Sequence, residues 1–314
     1  MGKRSLVALV TSVVFLCAAT SAQALNARTW ISGVGSDSSG CGPIATPCRT
    51  LQYAHDVTSA GGEIDVKDAA GYGAVTISKA LKVINDGAGL AGALAPAAGN
   101  AITINAGATD SVILRGLTVE GAGVGSNGIV FNSGGNLIIS DCKVQGFVGA
   151  SNSAGNGILI AHTTGSPDIV ITNTVASNNG YVGIYFVPGG VGGGTIEIDR
   201  ATTTNNQYGM SINLVHTAGS SSSAAAISHS YISSNSVFGI EIINGGVALS
   251  TTSVFNNGTG ANITGSSAVL MTQCVFLLNI NKDFNIAAPF LVTSNDNVAR
   301  TVTSSTTVLP LTKF

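Results

Sequence analysis

The chain has 314 residues, 41 of them glycine, with 45% hydrophobic and only 9% charged residues and a formal net charge of −2. High hydrophobicity with little charge excludes a disordered chain, and the scarcity of Glu, Lys and Arg excludes a coiled coil or charged helical bundle. No basic run follows the extreme N-terminus, which excludes nucleic-acid binding by charge.

Lys3 and Arg4 precede an apolar stretch from Leu6 to Ala19, and Ala22-Gln23-Ala24 is the small-x-small pattern at which signal peptidase cuts. Residues 1–24 are therefore expected to be a cleaved signal peptide, giving a secreted or periplasmic protein. The apolar stretch is about 14 residues long, short of the ~20 a spanning helix needs. No later segment is long and apolar enough to span a bilayer. A C-terminal Phe314 is compatible with an outer-membrane barrel, but Pro310 argues against a final barrel strand. The expected organisation is one domain: N-terminal cap and first coils over 25–99, repeats over 100–290, and a closing tail over 291–314.

Four cysteines remain after cleavage. Cys41 and Cys48 bracket a Gly/Pro turn. Export permits a disulfide between them; the alternative is a pair of free thiols. Zinc is disfavoured, because no second Cys/His pair lies nearby.

From about residue 100 the chain repeats without a fixed period. An apolar-x-apolar pair recurs with its second member at Leu114, Ile139, Ile171, Ile198, Ile227, Leu249 and Met271. Seven residues beyond lie Gly121, Gly146, Asn178, Asn205, Ser234 and Asn256, with Asn279 one place late. A second pattern, Gly-apolar-x-apolar, starts at Gly128, Gly157, Gly183, Gly209, Gly239 and Gly260. Alternation reads as strand and the Gly, Asn and Ser punctuation as turn. One unit cannot bury its apolar side, so units must stack. The constant offset favours stacking over a β-sandwich of hairpins. Asn at the seven-residue offset is expected to stack as an amide ladder. The fold class is all-β: a single-stranded right-handed parallel β-helix with a short N-terminal capping helix, for which Leu51, Ala54 and Val57 supply the apolar face. Cys142 and Cys274 fall in one column five coils apart, about 24 Å, too far for a disulfide.

The segment Pro47-Cys-Arg-Thr-Leu-Gln-Tyr-Ala54, with Gly61-Gly-Glu-Ile-Asp-Val66, Gly71-Tyr-Gly73 and Val75-Thr-Ile-Ser-Lys79, resembles the opening of pectin-lyase-like β-helix proteins, in particular those with carbohydrate-binding and sugar-hydrolase repeats. The resemblance covers residues 28–300 and implies the fold. Enzymes of that kind are polysaccharide lyases, with a Lys or Arg base and often carboxylate-bound calcium, or glycoside hydrolases with paired carboxylates. The Asn-Thr-Asp, Asp-Asp and Gly-His-Gly strings of polygalacturonases do not occur here.

Counting columns collects one polar patch: Asp141, Lys143, Glu197, Asp199, Arg200 and His229. As a lyase site it would use Arg200 as base or charge neutraliser and Glu197 with Asp199 as calcium ligands. The bland reading is a wet surface. Tyr185, Tyr208 and Tyr231, with Tyr181 and Phe238, are candidate sugar-stacking rings. His162 and His216 recur in matching contexts two coils apart, too far to share a metal, and read as turn histidines. The expectation is a monomeric exported protein that binds polysaccharide or serves as an extracellular structure, without metal or cofactor. The alternative is a lyase on an acidic glycan, which would bring in calcium.

Overall fold

The computed structural model describes residues 25–214, 223–287, 290–293, 296–299, 302–304 and 308–310. The expected signal peptide and most of the expected tail lie outside them. Among the described residues, every pair of named strands runs parallel, in a 20-stranded and a 10-stranded sheet. The chain winds as a right-handed parallel β-helix with three faces per coil. The first face holds Ser111–Arg115, Asn136–Ser140, Asp168–Thr172, Gly194–Asp199 and Ser223–Ser228. The second holds short strands such as Thr118–Glu120, Lys143–Gln145 and Val175–Ser177. The third holds Asn127–Ser133, Asn156–Ile160, Val182–Phe186 and Tyr208–Asn213. Where coils shorten to 22 residues, the third-to-first corner shrinks to the left-handed residues Asn244 and Gly245 in one coil and Gly265 in the next. Phe238–Ser250 and Thr259–Thr272 then run through both faces as single strands.

Period-2 alternation turns Leu114, Ile139, Ile171, Ile198 and Ile227 inward, into one core that extends along the axis. The corner between the first and second faces is made by one left-handed residue per coil. Asp141, Asn173, Arg200, His229, Thr251 and Gln273 all have φ between 45° and 55°. Two residues beyond the last first-face residue, the same column holds Cys142, Thr174, Ser230, Thr252 and Cys274. Thr174, Ser230 and Thr252 donate to the carbonyls of Thr172, Ser228 and Ser250 at 2.7–2.8 Å. The two thiols make the weaker version, to Ser140 at 3.2 Å and Thr272 at 3.3 Å. Both are buried and free. They are sulfur substitutes for a hydroxyl that satisfies a corner carbonyl, and burial pushes the Cys142 thiol up to about 12.

The amide ladder sits one position later than the sequence reading placed it. Asn178, Asn205 and Asn256 occupy the left-handed second-to-third corner, with φ of 56–57°. The stack is Asn179, Asn206, Asn235 and Asn257, all buried, and the half-buried Asn279. From Asn206 onward, each Oδ1 accepts both the backbone N–H and the side-chain amide of the asparagine in the preceding coil, at 3.0–3.1 Å, while Asn179 Oδ1 accepts from the Phe147 N–H. The Asn235-to-Asn257 side-chain bond is 2.9 Å. Asn279 is thus in step, and Leu278 takes the left-handed place beside it with φ of 59°.

At the N-terminal end, the helix Leu51–Val57 begins at Thr50, whose hydroxyl accepts from the Tyr53 N–H. It buries Leu51, Ala54 and His55, with Val57 packed at the core's margin. The strand Asn26–Ile31 precedes this helix and pairs with Thr58–Val66. Cys41 and Cys48 are bonded to each other. The loop they close lies along the outer edge of Asn26–Ile31, where the Trp30 N–H donates to Gly42 and the Cys48 N–H to Trp30.

Candidate functional site

On the outward side of the first face, three columns run along the axis. The middle one reads Arg28, Glu63, Lys82, Ile113, Ile138, Val170, Glu197, Ala226, Ala248 and Leu270. One flank carries Arg115, Ser140, Thr172, Asp199, Ser228, Ser250 and Thr272; the other carries Ser111, Asn136, Asp168, Thr195, Ala224, Gly246 and Ala268. Toward the C-terminal end the side chains shrink. Ala224, Gly246, Ala248, Ala268 and Leu270 line an open apolar groove of about 420 Å³. Glu197 borders the adjoining hollow, with Ala224 and Ala226.

Of the polar patch read from the sequence, Glu197 borders the adjoining hollow, and Asp199, Arg200 and His229 stand beside its strand and the next coil. The left-handed turn at Arg200 brings its Nη1 within 2.7 Å of Asp199 Oδ2. One coil on, Ser228 Oγ and His229 Nδ1 both donate to Asp199 Oδ1 at 2.8 Å. The His229 and Ser228 bonds, then the Arg200 charge, hold the Asp199 carboxyl below the usual carboxylate range against partial burial. Asp199, Arg200 and His229 are therefore brought together. Glu197 is exposed on the same strand, two residues away. Asp141 is not part of the cluster: it accepts from Asn173 Nδ2 at 2.6 Å, and it stands two coils, about 10 Å, from Arg200. Lys143 opens a second-face strand and is exposed there. Among the described residues, no three His, Cys, Asp or Glu side chains converge in a way that could hold a metal ion.

The candidate rings divide between two faces. Tyr185 and Tyr208 lie on the third face with Tyr181 and Phe238. Tyr185 is only 4% exposed, packed with Val130, Leu159 and Val182, so its ring offers no open face to a sugar. Tyr231 is on the second face, exposed and edge-on to Phe255 at 4.4 Å. His162 is fully buried beneath the Gly189–Gly194 segment, and its Nε2 meets the Gly193 carbonyl at 2.5 Å. His216 lies outside the described residues.

One charged cluster escaped the sequence reading. Arg28 pairs with Asp65 and, at 2.8 Å, with Glu63, while its guanidinium lies 5.5 Å from the centre of the Trp30 ring. Lys82 stands 3.9 Å from Glu63. Arg28-x-Trp30 and Glu63-x-Asp65 alternate as strand residues do. The helix between them hides that they are neighbours.

These features agree with what the chain resembles. The right handed beta helix region family matches residues 100–276, more than half of the chain, and the protein belongs to that family. Among solved structures, it is similar to the pectate lyase Pel9A, with a TM-score of 0.54 and 12% identity over 92% of this chain and 80% of that one. It is also similar to the A-module of the Azotobacter vinelandii mannuronan C-5 epimerase AlgE6, with a TM-score of 0.49 and 12% identity over 80% of each chain. At this identity the likeness is one of fold. No curated protein sequence matches the chain.

Proposed function

We propose that this is an exported β-helix protein that binds an extended polysaccharide along its first face. The observation that carries the reading is the groove itself. It is lined by Ala224, Gly246, Ala248, Ala268 and Leu270, and beyond the Ala248 and Leu270 column runs the hydroxyl column Ser250 and Thr272. A sugar ring has apolar C–H faces and a polar rim, and this pairing of columns offers a surface to each. The pattern recurs every ~4.8 Å along the axis, so a polymer lying lengthwise meets it repeatedly. The neighbour in fold whose name states that it acts on pectate supports the substrate class. The Arg200 guanidinium is engaged by Asp199, which favours binding over a lyase that uses it as base.

The test is affinity electrophoresis of the folded protein through gels carrying neutral or uronate polysaccharides. At least one polymer is expected to retard the protein, and Ala248→Trp, which fills the groove, is expected to abolish the retardation. Equal retardation of the variant, or none on any polymer, overturns the proposal. Formation of unsaturated uronate in the same mixtures would replace it with the lyase reading, and loss of that product in Arg200→Ala would locate the base.

A further inference from the structure

The geometry points to a second binding site, for an organic ammonium group, built on the third face from the Glu241 carboxylate and the rings of Tyr181, Tyr208 and Phe238. Tyr208 and Phe238 occupy one column in successive coils. Their ring centres are 5.5 Å apart, and Tyr181 adjoins Tyr208 at 5.1 Å, all edge to face. The rings thus form a short run along the axis. Glu241 stands in the neighbouring outward column, one coil beyond Ser211 and two beyond Tyr185. Tyr185 closes the inner end, 6.4 Å from Tyr181.

Glu241 is half-buried, and its described partners are neutral. Ser211 Oγ donates to Oε2 at 2.9 Å, and the Asn262 side chain also donates. Among the described residues, no Lys, Arg or His forms an ion pair with it. Burial holds its carboxyl above the usual range. Burial first, and then the Glu241 charge among nearby groups, raises the hydroxyls of Tyr181, Tyr185 and Tyr208. In the strand register, the column Tyr185, Ser211 and Glu241 runs beside the column Tyr208 and Phe238 on the same face.

A partly desolvated anion is costly without a counter-charge. Aromatic faces attract cations through their quadrupole. A small inorganic cation would have to give up a tightly held water shell to enter. An organic ammonium is weakly hydrated and presents both charge and C–H surface, so it satisfies the carboxylate and the rings together. The site lies on a different face from the polysaccharide groove and does not depend on it.

The experiment is a titration of the full exported chain, following tyrosine ring resonances, with four probes: tetramethylammonium, glucosamine, N-acetylglucosamine and glucose. Saturable shifts are expected with one or both cations and none with the two neutral sugars. Saturation by glucosamine alone identifies an amino sugar as the source of the ammonium; saturation by tetramethylammonium as well identifies organic cations generally. Glu241→Gln is expected to weaken binding by about tenfold or more. Tyr208→Leu, which keeps the charge and removes a ring, is expected to weaken it also. The inference fails if neither cation saturates, if N-acetylglucosamine binds as well as glucosamine, or if both variants, folded by circular dichroism, bind like the parent.

Discussion

His162 is a residue whose setting fixes its protonation. With Nε2–H donating to Gly193, the buried Nδ1 has no hydrogen-bond partner, and the ring lies between Phe131 and Phe186 at 5.9 and 6.3 Å. Burial lowers its pKa. In the unfolded chain the ring takes a proton near pH 6.5, whereas in the fold it does so only at lower pH. The unfolded state thus binds more protons over that interval, and stability falls as pH drops through it. Thermal melts should show a lower Tm at about pH 5.5 than at about pH 7.5, and His162→Gln should lose that component of the slope. A full slope in the variant would mean another group sets it. Thr251 is the second telling residue. It is β-branched in a left-handed conformation, with φ of 47°, a place that suits Asn or Gly. Thr251→Asn, which copies Asn173 of the same column, should stabilise by about 1 kcal/mol in denaturant melts.

The amide ladder and the glycine column are one element. A Cβ on Gly209 would lie 2.6 Å from the Gly239 carbonyl and 2.7 Å from Asn235 Nδ2, and Gly183 and Gly239 are confined in the same way. The chain must therefore approach the ladder without a side chain. Gly209→Ala should destabilise by about 1–3 kcal/mol through overpacking. Asn235→Ala should cost about 3 kcal/mol or more, because it removes the acceptor of the Asn206 N–H and side-chain amide and the amide donor to Asn257 Oδ1 and the Thr203 carbonyl, all buried. Chemical denaturation of the two variants checks both. This element was half legible. The glycines were visible as a repeat, and so were the asparagines, but two asparagines stand side by side at 178–179, 205–206 and 256–257 in all but name of role. Spacing alone does not tell the left-handed turn residue from the hydrogen-bonded one; only Asn279, out of step with the turn, carried the signal.

At the scale of the molecule, a stacked solenoid is vulnerable at its ends, where a strand edge faces water. The Cys41–Cys48 loop covers the outer edge of Asn26–Ile31. Reduction should lower stability by about 2–3 kcal/mol on chain-entropy grounds and should promote end-to-end association. Melts and sedimentation with and without reductant test the two effects separately. The faces, their register and the polar corner column were readable from residue 114 onward, because one apolar pair per coil gave a fixed origin for counting. The same count placed Arg200 beside His229. It could not reach the Arg28, Glu63 and Lys82 cluster, since the capping helix breaks the count, nor show that Tyr185 is covered, since cover depends on neighbours in other coils. The groove was invisible for a plainer reason: it is made of Ala and Gly, residues that carry no chemistry to search for.

The coils of 22 residues in which one strand serves two faces have a consequence for size. Such a coil has shed every optional loop, so its duplication would present the same inward and outward columns to the coils on either side. The molecule can then grow only in whole steps, each adding one rung of ~4.8 Å to its length and nothing to its girth. Its length is therefore a count of rungs, with graduations set by the backbone.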